Sequence, residues 1–466
     1  MHSSTINKSY LLFLSIVASL GGFLFGYDTA VISGTIGFVS DQFNLDPYSQ
    51  GWYVSCALVG CVFGVSIAGY LSDKFGRKYV LIFCSLFFFI SAFGCMIAFG
   101  FIDLVIYRII GGIAVGMASM LSPLYISEIS PAYNRGKLVA LYQFAITIGI
   151  LISYIANAWL LNISQSVQNP TYNLWNQIFY LEPWRSMLGS ETIPAALFFI
   201  LLFFVPESPR WMTVKGKENE ALNTITRISN IEEAKKEIED IKNALQEEKH
   251  TSNIFKEPGI KLAIIIGATL GFLTQVSGIN AIIYYGPEIL NKAGFGINSA
   301  FSSQVIIGII NVAFTLIAIW KIDSFGRRPL LLFGVSGIVF SLIVIGSLFA
   351  LNLTDSFLLL LFILIFIACF AFSFGPVIWV LLSEIYPTSV RGRAMSIGTL
   401  TLWVGTALVG QMVPVMLNYL TPAGTFWAFA IMCFPAIPIT LKVLPETKGK
   451  TLEEIENYWL TKYKKH

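Results

Sequence analysis

The sequence has 466 residues, of which 55% are hydrophobic and only 12% are charged. Soluble globular proteins carry about 25% charged residues, so this composition excludes a protein with an ordinary water-facing surface. The formal net charge of +3 excludes nothing further, because in a membrane protein the position of each charge matters more than the sum.

The first apolar run begins at Tyr10, after a short polar stretch. It is too long for the core of a cleavable signal peptide and is interpreted as the first membrane-spanning helix. Eleven further runs follow, and each is close to the ~20 residues that a spanning helix needs. The predicted helices, numbered 1 to 12, cover 10–39, 50–71, 79–100, 103–127, 137–161, 186–205, 261–286, 299–320, 329–351, 356–383, 393–418 and 425–444.

Two polar segments interrupt these runs. Residues 162–185 are predicted to form an external loop, and residues 206–260 are the only long charged stretch. Apolar residues recur at helical spacing within that stretch, which predicts amphipathic helices lying against the protein or the lipid headgroups. These residues are Ala221, Leu222, Ile225 and Ile228, then Ala234, Ile238, Ile241 and Leu245. We interpret the stretch as a structural connector; binding of a partner is the alternative.

The placement of Lys and Arg predicts the orientation. With a cytoplasmic amino terminus, Arg185 and Lys292 lie outside and Arg108 lies within the membrane, so 27 of the 30 basic residues face the cytoplasm. Basic residues concentrate on the cytoplasmic side of membrane proteins. The sequence therefore predicts an integral membrane protein with both termini in the cytoplasm.

Short motifs recur in the two halves of the chain. Asp73-Lys-Phe-Gly-Arg77 returns 250 residues later as Asp323-Ser-Phe-Gly-Arg327, and Pro206-Glu-Ser returns more weakly as Pro445-Glu-Thr. An even number of helices per half gives both halves the same orientation, with a substrate site between them near the midplane. The predicted fold is an all-α membrane protein of twelve transmembrane helices in two six-helix parallel-repeat bundles. The predicted domains are a first bundle at 1–205, the cytoplasmic connector at 206–260, a second bundle at 261–445 and a cytoplasmic tail at 446–466.

The repeated motifs place acidic and basic residues on the cytoplasmic surface of both halves. They are Asp73, Arg77, Glu128, Arg135, Asp323, Arg327, Glu384 and Arg391. We predict that these residues form a gate, with ion pairs that form when the cytoplasmic side closes and break when it opens. The alternative is a solvated charge cluster that only reflects the excess of basic residues on this side.

Metal and enzyme chemistry have little support in the sequence. The three histidines lie at the termini and in a polar loop, and the six cysteines lie in apolar stretches without metal-ligand spacing. The cysteines are interpreted as buried apolar residues. The sequence offers no nucleophile motif, phosphate loop or metal cluster, so we expect neither enzyme activity nor a metal, a cofactor or a nucleic-acid partner.

An ordered set of motifs spans nearly the whole chain. It comprises Phe25-Gly-Tyr-Asp28, Arg108-Ile-Ile-Gly-Gly, Pro206-Glu-Ser-Pro-Arg210-Trp, Gln275-Val-Ser-Gly-Ile-Asn280 with Tyr284-Tyr285, and Gly375-Pro-Val-Ile-Trp379. The set resembles the sugar porter family of the major facilitator superfamily. The resemblance implies that the chain carries a monosaccharide, either a pentose or a hexose, across the bacterial inner (plasma) membrane.

The resemblance also implies a sugar site made mostly by the second half. On matching positions the sugar would contact Phe25, Gln143, Gln275, Asn280, Tyr284, Asn311, Gly375, Trp379 and Trp403. Amides suit sugar hydroxyls because they both donate and accept, and aromatic faces suit the C–H surface of a sugar. The alternative for the amides is hydrogen bonding between helices. The chain departs from the family pattern at Ile150, Thr274 and Leu402, where further glutamines could stand, and this leaves the identity of the sugar open.

Helix 7 carries two of these amides. Gln275 and Asn280 are five residues apart, which places them about 140° apart around an ideal helix. Gly278 lies between them, and we predict that it lets the helix unwind so that both amides face one site.

Asp28 in helix 1 and Arg108 in helix 4 are charges within predicted spans, where charges are costly and usually functional. Their depths place them within reach of one arginine side chain. We interpret them as a proton site, since Arg108 favours ionised Asp28 while loss of water favours the protonated form. In this interpretation Asp28 is the only deep acidic residue of the first half. The alternative is a static ion pair.

The predicted function is symport of a monosaccharide with a proton by alternating access, carried out by a monomer in the lipid bilayer. The resemblance supports coupling, because proton-coupled members tend to have Asp at the position of Asp28 and passive carriers an uncharged residue. One alternative is a passive sugar facilitator of the same fold. Another is a membrane sugar sensor, for which the cytoplasmic tail at 446–466 is short.

Overall fold

The computed structural model describes residues 7–131, 134–168, 170–247, 257–354, 356–386, 391–450 and 452–462. Twelve of its helices are long and apolar enough to cross a membrane, which confirms the predicted number and order. They span Lys8–Gly34, Pro47–Phe75, Arg77–Ile97, Phe101–Ile129, Arg135–Ser164, Pro183–Leu202, Pro258–Lys292, Ile297–Ile322, Arg327–Ala350, Phe357–Glu384, Ala394–Tyr419 and Thr421–Lys442, and keep the numbers 1 to 12.

Five of these spans are interrupted. The segments are Lys8–Val31 with a 3₁₀ turn at Ile32–Gly34 in helix 1, Pro183–Gly189 and Thr192–Leu202 in helix 6, Pro258–Gln275 and Ile279–Lys292 in helix 7, Ser356–Phe372 and Phe374–Glu384 in helix 10, and Thr421–Cys433 and Ala436–Lys442 in helix 12. Backbone groups freed at membrane depth need partners inside the protein, so such breaks are tolerated where the backbone is buried in protein or lines a cavity.

Shorter helices connect the spans. They are Ile36–Phe43 after helix 1, Leu174–Asn176 and the π-turn Gln177–Leu181 after helix 5, Pro209–Val214, Glu218–Ile228 and Ile231–Glu247 after helix 6, and Leu452–Lys462 at the end. The two predicted amphipathic helices of the connector are therefore present. A small apolar core holds them together, formed by Met212, Ala221, Ile225, Ala234 and Ile238.

Two tight turns explain why the Phe-Gly-Arg sequence recurs. Helix 2 ends at Phe75 and helix 3 begins at Arg77, and the glycine between them has φ +100°. Gly326 has φ +90° between helices 8 and 9. Only glycine adopts such angles without steric cost, so each turn depends on it.

The helices pack first within each half. Helix 2 packs against helix 4 and helix 1 against helix 5 in the first half, while helix 7 packs against helix 11 and helix 9 against helix 12 in the second. The halves meet where helix 2 contacts helix 11, helix 5 contacts helix 8, and helix 1 contacts the second segment of helix 7. The interface between the halves therefore runs through the middle of the bundle, where a substrate site is expected.

Candidate functional site

The break in helix 7 lies between the two predicted amides. The first segment ends at Gln275, the second begins at Ile279, and Gly278 has φ +88°. Both amides are buried, and Nδ2 of Asn280 donates to Oε1 of Gln275 at 2.6 Å. The predicted unwinding at Gly278 is therefore present, and it brings the two side chains together.

Helix 10 has a second break that the sequence analysis missed. Ser373 is non-helical, with φ −123° and ψ −88°, and the helix resumes at Phe374. Pro376 has no N–H to donate to the carbonyl four residues earlier, and its ring crowds that carbonyl, which accounts for the interruption. Gly375 and Trp379 of the sugar-site prediction lie on the segment after the break and are half-buried.

Two aromatic rings, one from each half, are in contact. The rings of Phe25 and Trp403 are 5.2 Å apart between centroids and tilted by 41°. Trp403 is buried, and its Nε1 has no hydrogen-bond partner among the described residues. This contact joins the predicted aromatic residue of helix 1 to that of helix 11.

Three further residues predicted for the sugar lie on helices 5, 7 and 8. Gln143 of helix 5 is half-buried, and Asn311 of helix 8 is buried. Tyr284 is buried on the second segment of helix 7 and faces the charged residues of the first half. Three positions where the family pattern could hold glutamine, Ile150, Thr274 and Leu402, are buried as well.

Asp28 and Arg108 form the predicted ion pair. Nη1 of Arg108 donates to Oδ1 of Asp28 at 2.6 Å, and the two side chains are only 3% and 4% exposed. A charge pair sealed from water to this degree is strongly coupled, because the surroundings screen it little. Nε of Arg108 is also buried and has no hydrogen-bond partner within the described part of the chain.

Glu191 is a second buried carboxyl at this pair, and the prediction that Asp28 is the only deep acidic residue of the first half is wrong. Glu191 lies in the turn between the two segments of helix 6, is buried, and interacts with both Asp28 and Arg108. Oε1 of Glu191 is buried and has no hydrogen-bond partner among the described residues. The signal was present in the sequence, since a carboxylate inside a predicted span is itself a marker of function.

A small cavity connects this cluster to helix 7. Asp28, Arg108 and Tyr284 line it together with apolar residues of helices 1 and 2, and it has room for about one water molecule. Tyr284 lies four residues after Asn280 on the same helical segment. The charged cluster and the amide pair are therefore connected through one short helix.

The side of the bundle that carries the connector helices, here called the linker side, holds most of the predicted gate residues. In the first half Arg77 donates to both carboxylate oxygens of Glu128 at 3.0 and 3.1 Å, and to Asp73 at 3.2 Å. In the second half Arg327 donates to both oxygens of Glu384 at 3.0 and 2.8 Å. Each of these bonds lies within one half.

The Pro-Glu-Ser/Thr repeat has a structural role that the sequence analysis did not assign. The carboxylate of Glu207 accepts from the backbone N–H groups of Arg77 and Lys78, and Glu446 accepts from those of Arg327 and Arg328. Both carboxylates thus lie at a helix N-terminus, where unpaired N–H groups and the helix dipole favour an anion. Burial raises the pKa of Glu207 even though these hydrogen bonds act in the opposite direction.

The other predicted gate residues are only partly described. Burial raises the pKa of Glu237 in the connector, and the positive charge of Arg135 acts in the opposite direction. Arg135 therefore lies near a connector helix. The side chains of Asp323 and Arg391 are outside the described residues.

Hydrogen bonds join the halves on the side away from the linker. Ser55 donates to Oε1 of Gln411 at 2.7 Å, and Nε2 of Gln411 donates to the carbonyl of Tyr48 at 3.0 Å. Tyr154 donates to the carbonyl of Ile283 at 3.1 Å. That carbonyl lacks its usual helical donor, because the residue four positions later is Pro287.

Backbone contact seals the same side. A Cβ added at Gly51 of helix 2 would lie 2.2 Å from the carbonyl oxygen of Gln411 in helix 11. Two helices this close exclude a substrate, so the structure is closed on the side away from the linker.

Comparisons with known proteins find relatives that are similar in sequence and in structure. The chain matches the family model described as "Sugar (and other) transporter" over residues 14–459. The arabinose-proton symporter of Bacillus subtilis (strain 168) is 42% identical over 456 residues, which cover 97% of this chain and 96% of that protein. The D-xylose-proton symporter of Escherichia coli (strain K12) is 38% identical over 492 residues, which cover 98% of each. The solved inward open conformation of the xylose transporter XylE from E. coli is 37% identical and superposes with a TM-score of 0.83, covering 97% of this chain and 100% of that one.

Proposed function

This chain belongs to the sugar transporter family, and we propose that it is a secondary transporter that moves a monosaccharide and a proton together by alternating access. The fold is that of the major facilitator superfamily. Relatives of this chain are proton symporters for arabinose and xylose, which favours a pentose as the substrate and a hexose as the second candidate.

The observation that supports proton coupling best is the cluster of Asp28, Glu191 and Arg108. Two ionised carboxyl groups and one arginine carry a net negative charge, and all three side chains are buried, so uptake of one proton balances the charge of the site. A passive carrier does not need such a site.

Helix 7 supplies the link between proton and sugar. Its second segment carries Asn280 on the sugar side and Tyr284 on the wall of the cavity at Asp28 and Arg108. We propose that binding of the sugar moves this segment and so changes the access of water to the charged cluster. Broken helices near the midplane serve this purpose in secondary transporters.

The sugar site of this proposal lies between the amide pair and the aromatic contact. Gln275 and Asn280 hydrogen-bond hydroxyls, and Phe25, Trp379 and Trp403 cover the apolar face of the ring. The indole N–H of Trp403 provides one further donor. Gln143, Asn311, Tyr284 and Gly375 complete the proposed site.

The linker side is proposed to be cytoplasmic, because 27 of the 30 basic residues lie in segments predicted for that side. The structure, closed on the other side, is then closed to the outside. The proposed location is the bacterial inner membrane. The residues proposed for both the sugar and the proton lie in one chain, so a monomer suffices.

The gate on the linker side stays a proposal. Its bonds lie within each half in this structure, where Arg77 donates to Glu128 and Arg327 donates to Glu384. For a gate, residues such as Arg135 must find partners in the other half when the cytoplasmic side closes. A ring of opposite charges repeated in both halves is suited to that exchange.

One transport experiment tests the function. The purified protein is reconstituted in proteoliposomes and given a panel of radiolabelled pentoses and hexoses, with and without a pH gradient. We expect a pH gradient to drive accumulation of at least one sugar, and addition of that sugar to make the external medium alkaline. Sugar flux without either effect would identify a passive facilitator, and binding without flux would identify a sensor.

The amide pair gives a sharper prediction. Gln275→Ala or Asn280→Ala should weaken sugar binding by about 1–3 kcal/mol, because each leaves a polar partner unpaired in a buried site. Calorimetric titration of the purified variants measures the effect. Asn291→Ala, an exposed amide at the end of the same helical segment, is the matched control and should bind as the wild type does. Unchanged affinity in both site variants would move the sugar away from helix 7.

A further inference from the structure

Thr406 of helix 11 contacts the amide pair, although no motif in the sequence points to it. Its hydroxyl lies 3.0 Å from Oε1 of Gln275 and 2.9 Å from the carbonyl of Leu402 in its own helix. The side chain is 3% exposed. We propose that Thr406 is a positioning residue that fixes the Gln275 amide for sugar binding; this rests on the sugar-transport function proposed above.

The backbone of helix 11 makes this contact possible. The residue before Thr406 is Gly405, and a Cβ there would lie 3.2 Å from Cβ of Gln275. The absence of a side chain at Gly405 therefore lets helix 11 approach helix 7 closely enough for a threonine hydroxyl to reach the amide. A longer distance would leave Gln275 in contact with Asn280 alone.

Gln275 needs such a support because of where it lies. It is the last residue of the first segment of helix 7, and the chain beyond it is unwound up to Gly278. A glutamine side chain has three rotatable bonds, and holding it in one orientation costs rotamer entropy. Nδ2 of Asn280 donates to this amide oxygen, and the Thr406 hydroxyl shares its single hydrogen between the same oxygen and the carbonyl of Leu402. Both contacts hold the Gln275 side chain in one orientation before the sugar binds.

The remaining groups of the pair are free to meet a sugar. Within the described part of the chain, neither Nε2 of Gln275 nor Oδ1 of Asn280 has a hydrogen-bond partner, and neither atom is sealed from solvent. The pair thus presents one N–H donor next to one carbonyl acceptor. Two neighbouring hydroxyls match this arrangement, because one can accept while the other donates. The positioned pair is therefore suited to a vicinal diol.

The test compares Thr406→Val, which keeps the shape and removes the hydroxyl, with Thr406→Ser, which keeps the hydroxyl. Binding of D-xylose and of arabinose is measured by calorimetry on the purified full-length proteins. We expect Thr406→Val to weaken binding of the transported sugar about three- to tenfold, the scale of one neutral hydrogen bond. Thr406→Ser should restore binding to within about twofold of the wild type. The thermal midpoint without sugar should be nearly the same in all three.

A double-mutant cycle separates positioning from general packing. In a Gln275→Ala background, Thr406→Val should cause no further loss of affinity, because the side chain that it positions is gone. The same loss in both backgrounds, unchanged affinity of Thr406→Val, or failure of Thr406→Ser to restore binding would each overturn the positioning role. Wild-type protein that binds no sugar of the pentose and hexose panel would instead overturn the proposed function, and this inference with it.

Discussion

Asp28→Asn is expected to abolish accumulation of sugar against a gradient while sugar binding and exchange persist. Asparagine keeps the size and the hydrogen bonding of aspartate, but it does not take up or release a proton in this range. A proton gradient does work only through a group whose protonation changes as the site changes access. The variant should therefore behave as a passive exchanger, and addition of sugar should no longer draw protons inward.

Glu191, which the sequence analysis did not place at this site, affects whether the Asp28→Asn variant folds. Without the charge of Asp28, Arg108 still has the carboxyl of Glu191 nearby. The static-pair alternative predicts a low yield of folded Asp28→Asn, because removing one partner of a buried pair strands the other charge. With Glu191 present we expect the variant to fold in amounts sufficient for transport assays.

Counterflow and gradient-driven uptake are measured on the same proteoliposomes, so that exchange and accumulation are compared directly. Asp103→Asn is the matched control, since Asp103 lies in the first turn of the helix that carries Arg108 but outside the cluster. It should accumulate sugar normally. Normal accumulation by Asp28→Asn would exclude Asp28 as the required proton carrier and leave Glu191 as the candidate.

The sequence predicted those parts of the fold that depend on local pattern. Twelve apolar runs became twelve spans because a helix must satisfy its own backbone in the membrane. The unwinding of helix 7 followed from one glycine between two amides, and Gly278 indeed has a positive φ. The break at Ser373 was not predicted, although Pro376 is a sequence signal for it, because proline lacks the N–H that would continue the helix.

Contacts between residues that are far apart in the sequence could not be predicted from local pattern. The placement of Glu191 beside Asp28 depends on how helix 6 packs against helix 1, and nothing in either segment specifies that distance. The pairing of Glu207 with the start of helix 3 is similar, although its repeat at Glu446 was visible in the sequence. Thr406 carries no signal at all, because a threonine inside an apolar helix most often bonds its own backbone.

Gly51 determines whether the side away from the linker can close. Its missing side chain lets helix 2 lie against the backbone of helix 11, where a Cβ would come within 2.2 Å of the Gln411 carbonyl oxygen. Backbone atoms cannot rotate away as a flexible side chain can, so a large residue here must hold the two helices apart. The hydrogen bonds of Gln411 with Ser55 and Tyr48 would be lost at the same time.

Gly51→Trp should therefore abolish transport, with counterflow reduced to background, because an alternating-access carrier must close each side in turn. Sugar binding should persist, since the amide pair and the aromatic contact lie deeper in the bundle. Spin-label distances across the side away from the linker should lengthen. Calorimetry measures sugar binding and counterflow measures transport on the same variant. Gly37→Trp is the control, because Gly37 lies on the short helix of the same side with no atom within 4 Å of its added Cβ, and it should transport normally. Normal counterflow by Gly51→Trp would show that closure of helix 2 on helix 11 is not part of the transport cycle.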